Sequence, residues 1–508
     1  MRTKNSIRNI VTAFSVNLLS IIVGLVVQAI FIKTLGVEYL GLNGLFSNLI
    51  SMLSIAELGF GSAIIFSLYK PIADKEYGTI NSLLRLYKRS YSVISLIMFI
   101  IGLLIIPFLP IIVGDNTING NINMFYLLFL IDVVISYVLS YKRSILIADQ
   151  KNYLINIIHV VYFLILNSIQ IFVLLNTKNF YLFLIMKITI RIAENIFITM
   201  FVNRKYSYLS NKNIEPLDDS IFKDIIKKIK ALFIHKIAAF IVLGTDNILI
   251  SMLFGLNVLG LYANYYLIIN AINSLVTQIF SSVVPSIGNL NVTTDKNKKF
   301  EVYKNIRFIN VWISIFAATS LFIVMDNFIN IWLGSKYLLN DYILFALIIN
   351  YYFQSTRLVN LIFKEAAGIF HEDRIMPILE SIINIILSLL FAKMFGLIGI
   401  FMGTICSNLF LQIYSYPKYV YKKLFQRSHI QYFLENGKYL ITFLFILFVT
   451  YILANVVESN LINNIIICLF IPNIIMYILY KKSSEMNYYK NLVYKFYKKW
   501  GGIKYEKS

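Results

Sequence analysis

The sequence predicts an all-α, polytopic membrane protein: about 14 transmembrane helices in two pseudo-twofold six-helix lobes plus a C-terminal helix pair. Composition is the first reason. The 508 residues are 58% hydrophobic, only 14% charged, and have a mean hydropathy of +0.73, which no single soluble domain tolerates. The second is that the apolar residues gather into runs long enough to cross a hydrocarbon core ~30 Å thick. The third is that basic residues fall between those runs on alternate sides, the positive-inside pattern.

Spans are expected at 10–32, 40–66, 90–113, 122–147, 153–175 and 180–202 in the first lobe. The second lobe is expected at 231–254, 259–284, 308–332, 341–363, 375–395 and 397–415, and the final pair at 437–457 and 460–480. The first run follows a basic start (Arg2, Lys4, Arg8). It is too long for a signal h-region and lacks a small-residue cleavage site, so it reads as a retained helix. With the N-terminus in the cytoplasm, all but seven of the 46 lysines and arginines lie on the inner side or at inner helix ends. Lys33, Lys178, Lys336 and Lys393 lie outside, and Lys187, Arg191 and Arg357 lie within spans. An even span count then puts both termini in the cytoplasm. The longest inner loop, 203–230, contains Pro216 and the stretch KDIIKKIK, predicting a short basic interfacial helix. The expected division is an N-lobe at 1–205, a linker at 206–230, a C-lobe at 231–425, and the last pair with a basic tail at 426–508. Cys406 and Cys468 sit in apolar runs and imply neither a disulfide framework nor a thiolate metal site.

An internal repeat supports the two halves. LGVEYLGL at 35–42 matches FGLNVLGL at 254–261, at an offset of 219. The same offset pairs Gln28 with Asn247, Ser51 with Asn270, Ser54 with Asn273 and Ser62 with Ser281. The repeated loop is expected outside in both copies, so the halves are parallel repeats, which pack about an axis near the membrane normal with substrate between them.

The segment 180–202 carries Lys187, Arg191 and Glu194 within a ~60° arc of one helical face. A charge near the midplane costs at least ~2.5–3.5 kcal/mol on insertion scales, so such residues face a bundle interior or a wet cavity. Two readings stand: an ion pair of Arg191 with Glu194 at i, i+3, or cationic lining of a polar cavity. The second segment aligns Asn43, Ser47, Ser54 and Glu57, and the eighth Asn270, Asn273, Ser274, Thr277 and Ser281. Single hydroxyls of this kind serve as packing glue, but the whole eighth-segment stripe predicts a wet surface. Asp246 and Glu57 are acidic and deep, suited to pairing a buried cation, binding a coupling ion or taking a proton. Asp132 and Glu380 carry less weight, the latter because it lies near the inner surface. Arg357 lies about two turns from the inner end. His159 and His235, near inner ends, read as interfacial packing.

Enzymatic classes find little support. The sequence has no P-loop, dinucleotide fingerprint or HExxH pair. It has no sizeable soluble segment for an ATPase, and its outer loops are too short to hold a catalytic centre for a lipid-linked sugar. The expectation is a transporter with no cofactor, no metal and no nucleic-acid partner, the net charge of +21 being accounted for by loops beside the membrane.

The stretch LNGLFSNLISMLSIAELGFGSAIIFSLYKPIA at 42–73 resembles the N-terminal signature of bacterial polysaccharide-repeat (Wzx-type) flippases. These belong to the multidrug/oligosaccharidyl-lipid/polysaccharide exporter superfamily. TDNILIS at 245–251, LGLYANYYLI at 259–268 and SSVVPSIGNL at 281–290 are similar to the same family. The resemblance covers nearly the whole chain. It implies a bacterial plasma-membrane flippase that carries an undecaprenyl-diphosphate-linked oligosaccharide from the inner to the outer leaflet by alternating access. It also implies coupling to protons or sodium ions, and the polysaccharide polymerase and export machinery as partners beside membrane lipids. Lys187, Arg191 and Arg357 match the cationic central cavity of the family as a general pattern, with Asn270, Asn273 and Thr277 as further lining and Asp246 and Glu57 as ion-coupling candidates. The alternatives are a cation-coupled drug exporter on the same fold, which calls for an acidic cavity, and a membrane glycan polymerase.

Overall fold

The computed structural model of the chain describes residues 2–57, 60–114, 116–210, 219–284, 287, 295–369, 372–373, 375–457 and 460–501. Helix dominates, and among the described residues there is no strand. Hydrocarbon offers the backbone no hydrogen-bond partner, so a spanning segment must satisfy its own N–H and C=O groups, as a helix does. The principal helices are α1 Arg2–Leu35, α2 Val37–Leu53, α3 Phe60–Asp74, α4 Tyr77–Ile105, α5 Ile122–Leu139, α6 Asn152–Thr177, α7 Phe180–Lys205 and α8 Asp219–Ser281. They continue with α9 Lys296–Trp332, α10 Asp341–Thr356, α11 Leu358–Ala366, α12 Met376–Phe395, α13 Leu397–Phe410, α14 His429–Val456, α15 Leu461–Tyr480 and α16 Ser484–Gly501.

Each of the fourteen expected spans overlaps one or more of these helices. Among the described residues, ten helical runs are by themselves long and apolar enough to cross a membrane. The exceptions have local causes. The second span is split between α2 and α3, with a 3₁₀ turn at Ser54–Glu57 after α2. The tenth breaks between α10 and α11 at Arg357. The sixth, α7, carries three charges through its centre. The expected linker helix near KDIIKKIK joins the seventh span in one helical run, α8, in which Gly255 marks a break. Residues 211–218 of that linker, Pro216 included, lie outside the described residues, as does the side chain of His235.

Four helices begin at turns expected on the outer side, and each starts with an asparagine N-cap. Asn121, Asn179, Asn340 and Asn460 accept from the backbone N–H of Met124, Leu182, Tyr342 and Asn463. Such caps satisfy donors that the first turn otherwise leaves open.

The chain divides into two compact units, Met1–Asn264 and Tyr265–Ser508. The first has an apolar core around Ile64, Leu83, Met98, Ile145, Ile198 and Val202. The second is centred on Phe300, Tyr303, Phe363, Val420 and Tyr421.

The sequence repeat is also a repeat of backbone geometry. Gly36 turns the chain from α1 into α2 at φ 96°, ψ 172°, and its counterpart Gly255 turns α8 at φ 81°, ψ 169°. These are conformations in which a Cβ is strained. Five residues further on in each copy, the repeated glycines meet the other copy's turn within the first unit. A Cβ on Gly41 would stand 2.1 Å from the Leu256 carbonyl oxygen, and one on Gly260 would stand 2.1 Å from that of Val37. Glycine here permits close helix approach, as in small-residue membrane interfaces. Gly41→Ala and Gly260→Ala are each expected to cost about 1–3 kcal/mol and to lower the thermal unfolding midpoint of the purified protein. Gly24→Ala, whose new methyl would have no atom within 4 Å, is expected to leave it unchanged. A wild-type midpoint for both repeat variants would show that the helices are not held this close.

Candidate functional site

The polar centre of the first unit is built where α7 packs between α5 and α6. Helical spacing puts Lys187, Arg191 and Glu194 along one side of α7, and α5 answers with Asp132. Arg191 donates through Nε to Asp132 Oδ1 at 2.5 Å, and Lys187 Nζ lies 3.4 Å from Asp132 Oδ2. The Asp132 side chain is only 3% exposed. Lys187 also lies over the Phe129 ring, 4.9 Å from its centroid. A single buried carboxylate thus serves two cations, which makes removal of that carboxylate expensive.

One turn along α7, Glu194 accepts from Arg143 Nη2 at 3.1 Å and faces His159 Nδ1 at the same distance. This differs from the Arg191–Glu194 ion pair that the i, i+3 spacing suggested. The spacing allows the pair, but the helices on either side of α7 supply partners in better positions. Asp132, which position alone gave little weight, holds the site together. Arg143 was counted with the inner loop charges; the fold turns it back against Glu194. His159, read as interfacial packing, belongs to the same group.

Below these pairs lies a cavity of about 310 Å³ lined by Glu57, Tyr91, Ser136, Tyr137, Ser140, Arg143, Arg191 and Asn195. Glu57 is there because the 3₁₀ turn between α2 and α3 points it inward, and the Tyr91 hydroxyl donates to Oε1 while that of Tyr137 donates to Oε2 at 3.3 Å. The bond to Asp132 uses one of five guanidinium donors on Arg191, whose side chain is 36% exposed. Two buried polar atoms on the cavity residues, Arg143 Nε and Asn195 Oδ1, have no hydrogen-bond partner among the described residues. Buried groups of this kind are normally satisfied by protein, water or ligand.

The other sequence candidates lie elsewhere. In the second unit, Arg357 at the α10–α11 break donates to Glu380 Oε1 at 2.5 Å and to Asn408 Oδ1 at 2.6 Å, with Asn408 in turn bonded to Asn350. Asn270 is exposed, and Asn273 and Thr277 are half-buried along α8. Asp246, in the first unit, is half-buried and engaged with a neighbouring group. Among the described residues, no three His, Cys, Asp or Glu side chains gather as a metal site requires.

The fold defines a class: an all-helical bundle with several helices long and apolar enough to cross a membrane and charged pairs between them. Over nearly its whole length the chain is similar to the lipid II flippase MurJ in an inward closed conformation. The TM-score is 0.67 at 17% identity, covering 93% of this chain and 99% of that one. It is also similar to a multidrug resistance MATE transporter of the MOP superfamily in an inward-facing conformation, with TM-score 0.60 and 13% identity over 79% of this chain and 94% of that one. The Vibrio cholerae MATE transporter VcmN in its bent form gives 0.52 and 15%, covering 80% and 93%. By sequence, no family model and no curated protein matches the chain. The chain therefore shares the fold of these proteins and is a multi-pass membrane protein.

Asp132→Asn removes the one carboxylate that serves both Lys187 and Arg191. It is expected to destabilise the protein by about 3–5 kcal/mol, read as a large drop in its unfolding midpoint. An unchanged midpoint would mean that water in the cavity, rather than Asp132, compensates the two cations.

Proposed function

We propose that the chain is a flippase that moves an undecaprenyl-diphosphate-linked oligosaccharide repeat from the inner to the outer leaflet by alternating access, in the assembly of capsule, O-antigen or another surface polysaccharide. The observation that carries this reading is the cavity of the first unit. It places two guanidinium groups, hydroxyls and unsatisfied polar atoms inside a bilayer-spanning bundle. Arginine's planar fork suits phosphate oxygens, and a walled polar cavity suits a hydrated head group whose lipid tail stays in the bilayer. The likeness to a lipid II flippase over 93% of the chain adds support from the fold alone. On this reading the protein resides in a bacterial plasma membrane with both termini cytoplasmic. Its lobes are 1–205 and 231–425, and it hands its product to the polymerase and export machinery of the pathway. Asn270, Asn273, Thr277 and Arg357 belong to the substrate path, with Arg357 held in reserve by Glu380.

The second reading, a cation-coupled drug exporter, draws on the MATE likenesses, which cover only about four fifths of the chain. Such an exporter calls for net acidic lining, whereas this cavity sets Arg143 and Arg191 against Glu57.

Deletion of the gene separates these readings. A flippase deletion accumulates the lipid-linked repeat on the inner leaflet. Accumulation of single repeats on the outer leaflet would identify a polymerase instead, and a normal distribution with drug hypersensitivity would identify the exporter.

Within the proposed flippase, Arg191→Gln is expected to reduce transport by about 10- to 100-fold, the worth of a charge-assisted hydrogen bond, with Arg191→Lys partly active. The Asp132→Asn, Arg191→Gln double variant removes that ion pair from both sides but leaves Lys187 without its carboxylate, so it is expected to regain only part of the stability that Asp132→Asn loses, and no transport. Recovery of transport in the double variant would confine Arg191 to structure. For coupling, at least one of Glu57→Gln and Asp246→Asn is expected to flatten the dependence of transport on pH or sodium. Wild-type dependence in both would remove the two carboxylates from the coupling step.

A further inference from the structure

The helix α16, Ser484–Gly501, follows the last spanning helix after only Lys481, Lys482 and Ser483. Its first two turns are fixed to the protein. Met486 is buried, the Tyr489 hydroxyl donates to the Asn305 carbonyl at 3.0 Å, and Glu485 pairs with Lys304 at 3.6 Å. At ~100° per residue, Met486, Tyr489, Val493 and Tyr497 fall within a ~80° stripe. The stripe that docks at 486 and 489 is bare further on, with Val493 66% and Tyr497 78% exposed. Tyr494 beside it is also 66% exposed.

The position of the docked end says what faces the bare end. It rests at Lys304 and Asn305, early in the spanning helix α9, and directly follows the end of α15 at Tyr480. The helix is therefore anchored where the apolar part of two spans ends, and it carries the same apolar stripe beyond its protein contacts. Its composition agrees. Tyrosines occupy the boundary region readily, and a moderately apolar stripe on a basic helix is the pattern of an in-plane anchor. The only acidic residue in 484–501 is Glu485, already paired with Lys304, while Lys481, Lys482, Lys490 and Lys495 are exposed. That balance favours negatively charged head groups.

We propose that α16 is a second lipid-recognition site, an in-plane anchor that binds anionic phospholipid through Val493, Tyr494 and Tyr497 with flanking lysines. It is separate from the cavity of the first unit and does not depend on the identity of the transported molecule.

The test uses the full chain reconstituted in vesicles, with Cys406 and Cys468 replaced by Ser and Tyr497→Cys carrying an environment-sensitive fluorophore. In vesicles containing phosphatidylglycerol, the emission is expected to shift to the blue and to be quenched more than about twofold by nitroxide-labelled lipid. In pure phosphatidylcholine both effects weaken. Lys481→Gln, Lys482→Gln and Lys495→Gln are each expected to shift the engaged fraction by about fivefold, and high salt to act in the same direction. A fluorophore that stays in water in both vesicle types overturns the proposal. A blue shift without quenching by nitroxide lipid also overturns it, because the stripe is then covered by protein, a second copy included.

Discussion

A charge inside a bilayer needs a countercharge close by, and this requirement organises both units. Asp132 answers Lys187 and Arg191, Glu194 answers Arg143 and His159, and Glu380 answers Arg357. Each pair joins residues that lie on different helices, so the pairing fixes rotation and register as well as charge. Rotating α7 by one residue, ~100°, would carry Lys187 and Arg191 away from Asp132 and into hydrocarbon. Apolar packing alone discriminates poorly between such registers, because lipid tails are as apolar as the side chains they replace. The ion pairs therefore contribute specificity that the surrounding leucines and isoleucines do not.

The same logic attaches the last two spans to the second unit. Arg307 on α9 is fully buried, bonded through Nη1 to Glu435 and Tyr421 and through Nη2 to Asn436. Four tyrosine rings, of Tyr303, Tyr421, Tyr432 and Tyr439, lie within 6 Å of its guanidinium carbon. Farther along α9, Trp312 donates to Asn473 of α15 at 2.7 Å. Cation–π and charge-assisted contacts of this kind strengthen as water is excluded. They supply a reason for α14 to choose one position on α9.

The fold was largely legible in the sequence because its signals are local. Apolar runs mark spans, and the 219-residue repeat marks equivalent turns, which Gly36 and Gly255 then adopt with nearly the same dihedral angles. The site was legible only in part. Lys187 and Arg191 stood out because a cation in the middle of a span is costly wherever it points. Their partner did not, since the choice of Asp132 over Glu194 depends on how α5 and α7 face each other. Arg143 and Arg307 were hidden by their positions near span ends, where sequence cannot separate a charge that reaches water from one folded back into the bundle. Glu380 was discounted for the same reason, and the break at Arg357 is what brings the two together.

The first-unit charges also suggest how a coupling ion and an anionic substrate communicate on the proposed reading. The cations Lys187, Arg191 and Arg143 stand against the carboxylates Asp132, Glu194 and Glu57. When all are ionised, the group is neutral. The Tyr91 and Tyr137 hydroxyls donate to the Glu57 carboxylate, and a coupling cation bound against it would leave a net positive charge beside the cavity. On that reading an anion binds more tightly to the cation-loaded form, and by linkage the bound anion favours cation binding by the same factor. Loss of that cation on the outer side would then weaken the hold on an anionic head group. Release at one face and capture at the other can therefore be driven by one carboxylate, provided its exposure alternates with the cavity's.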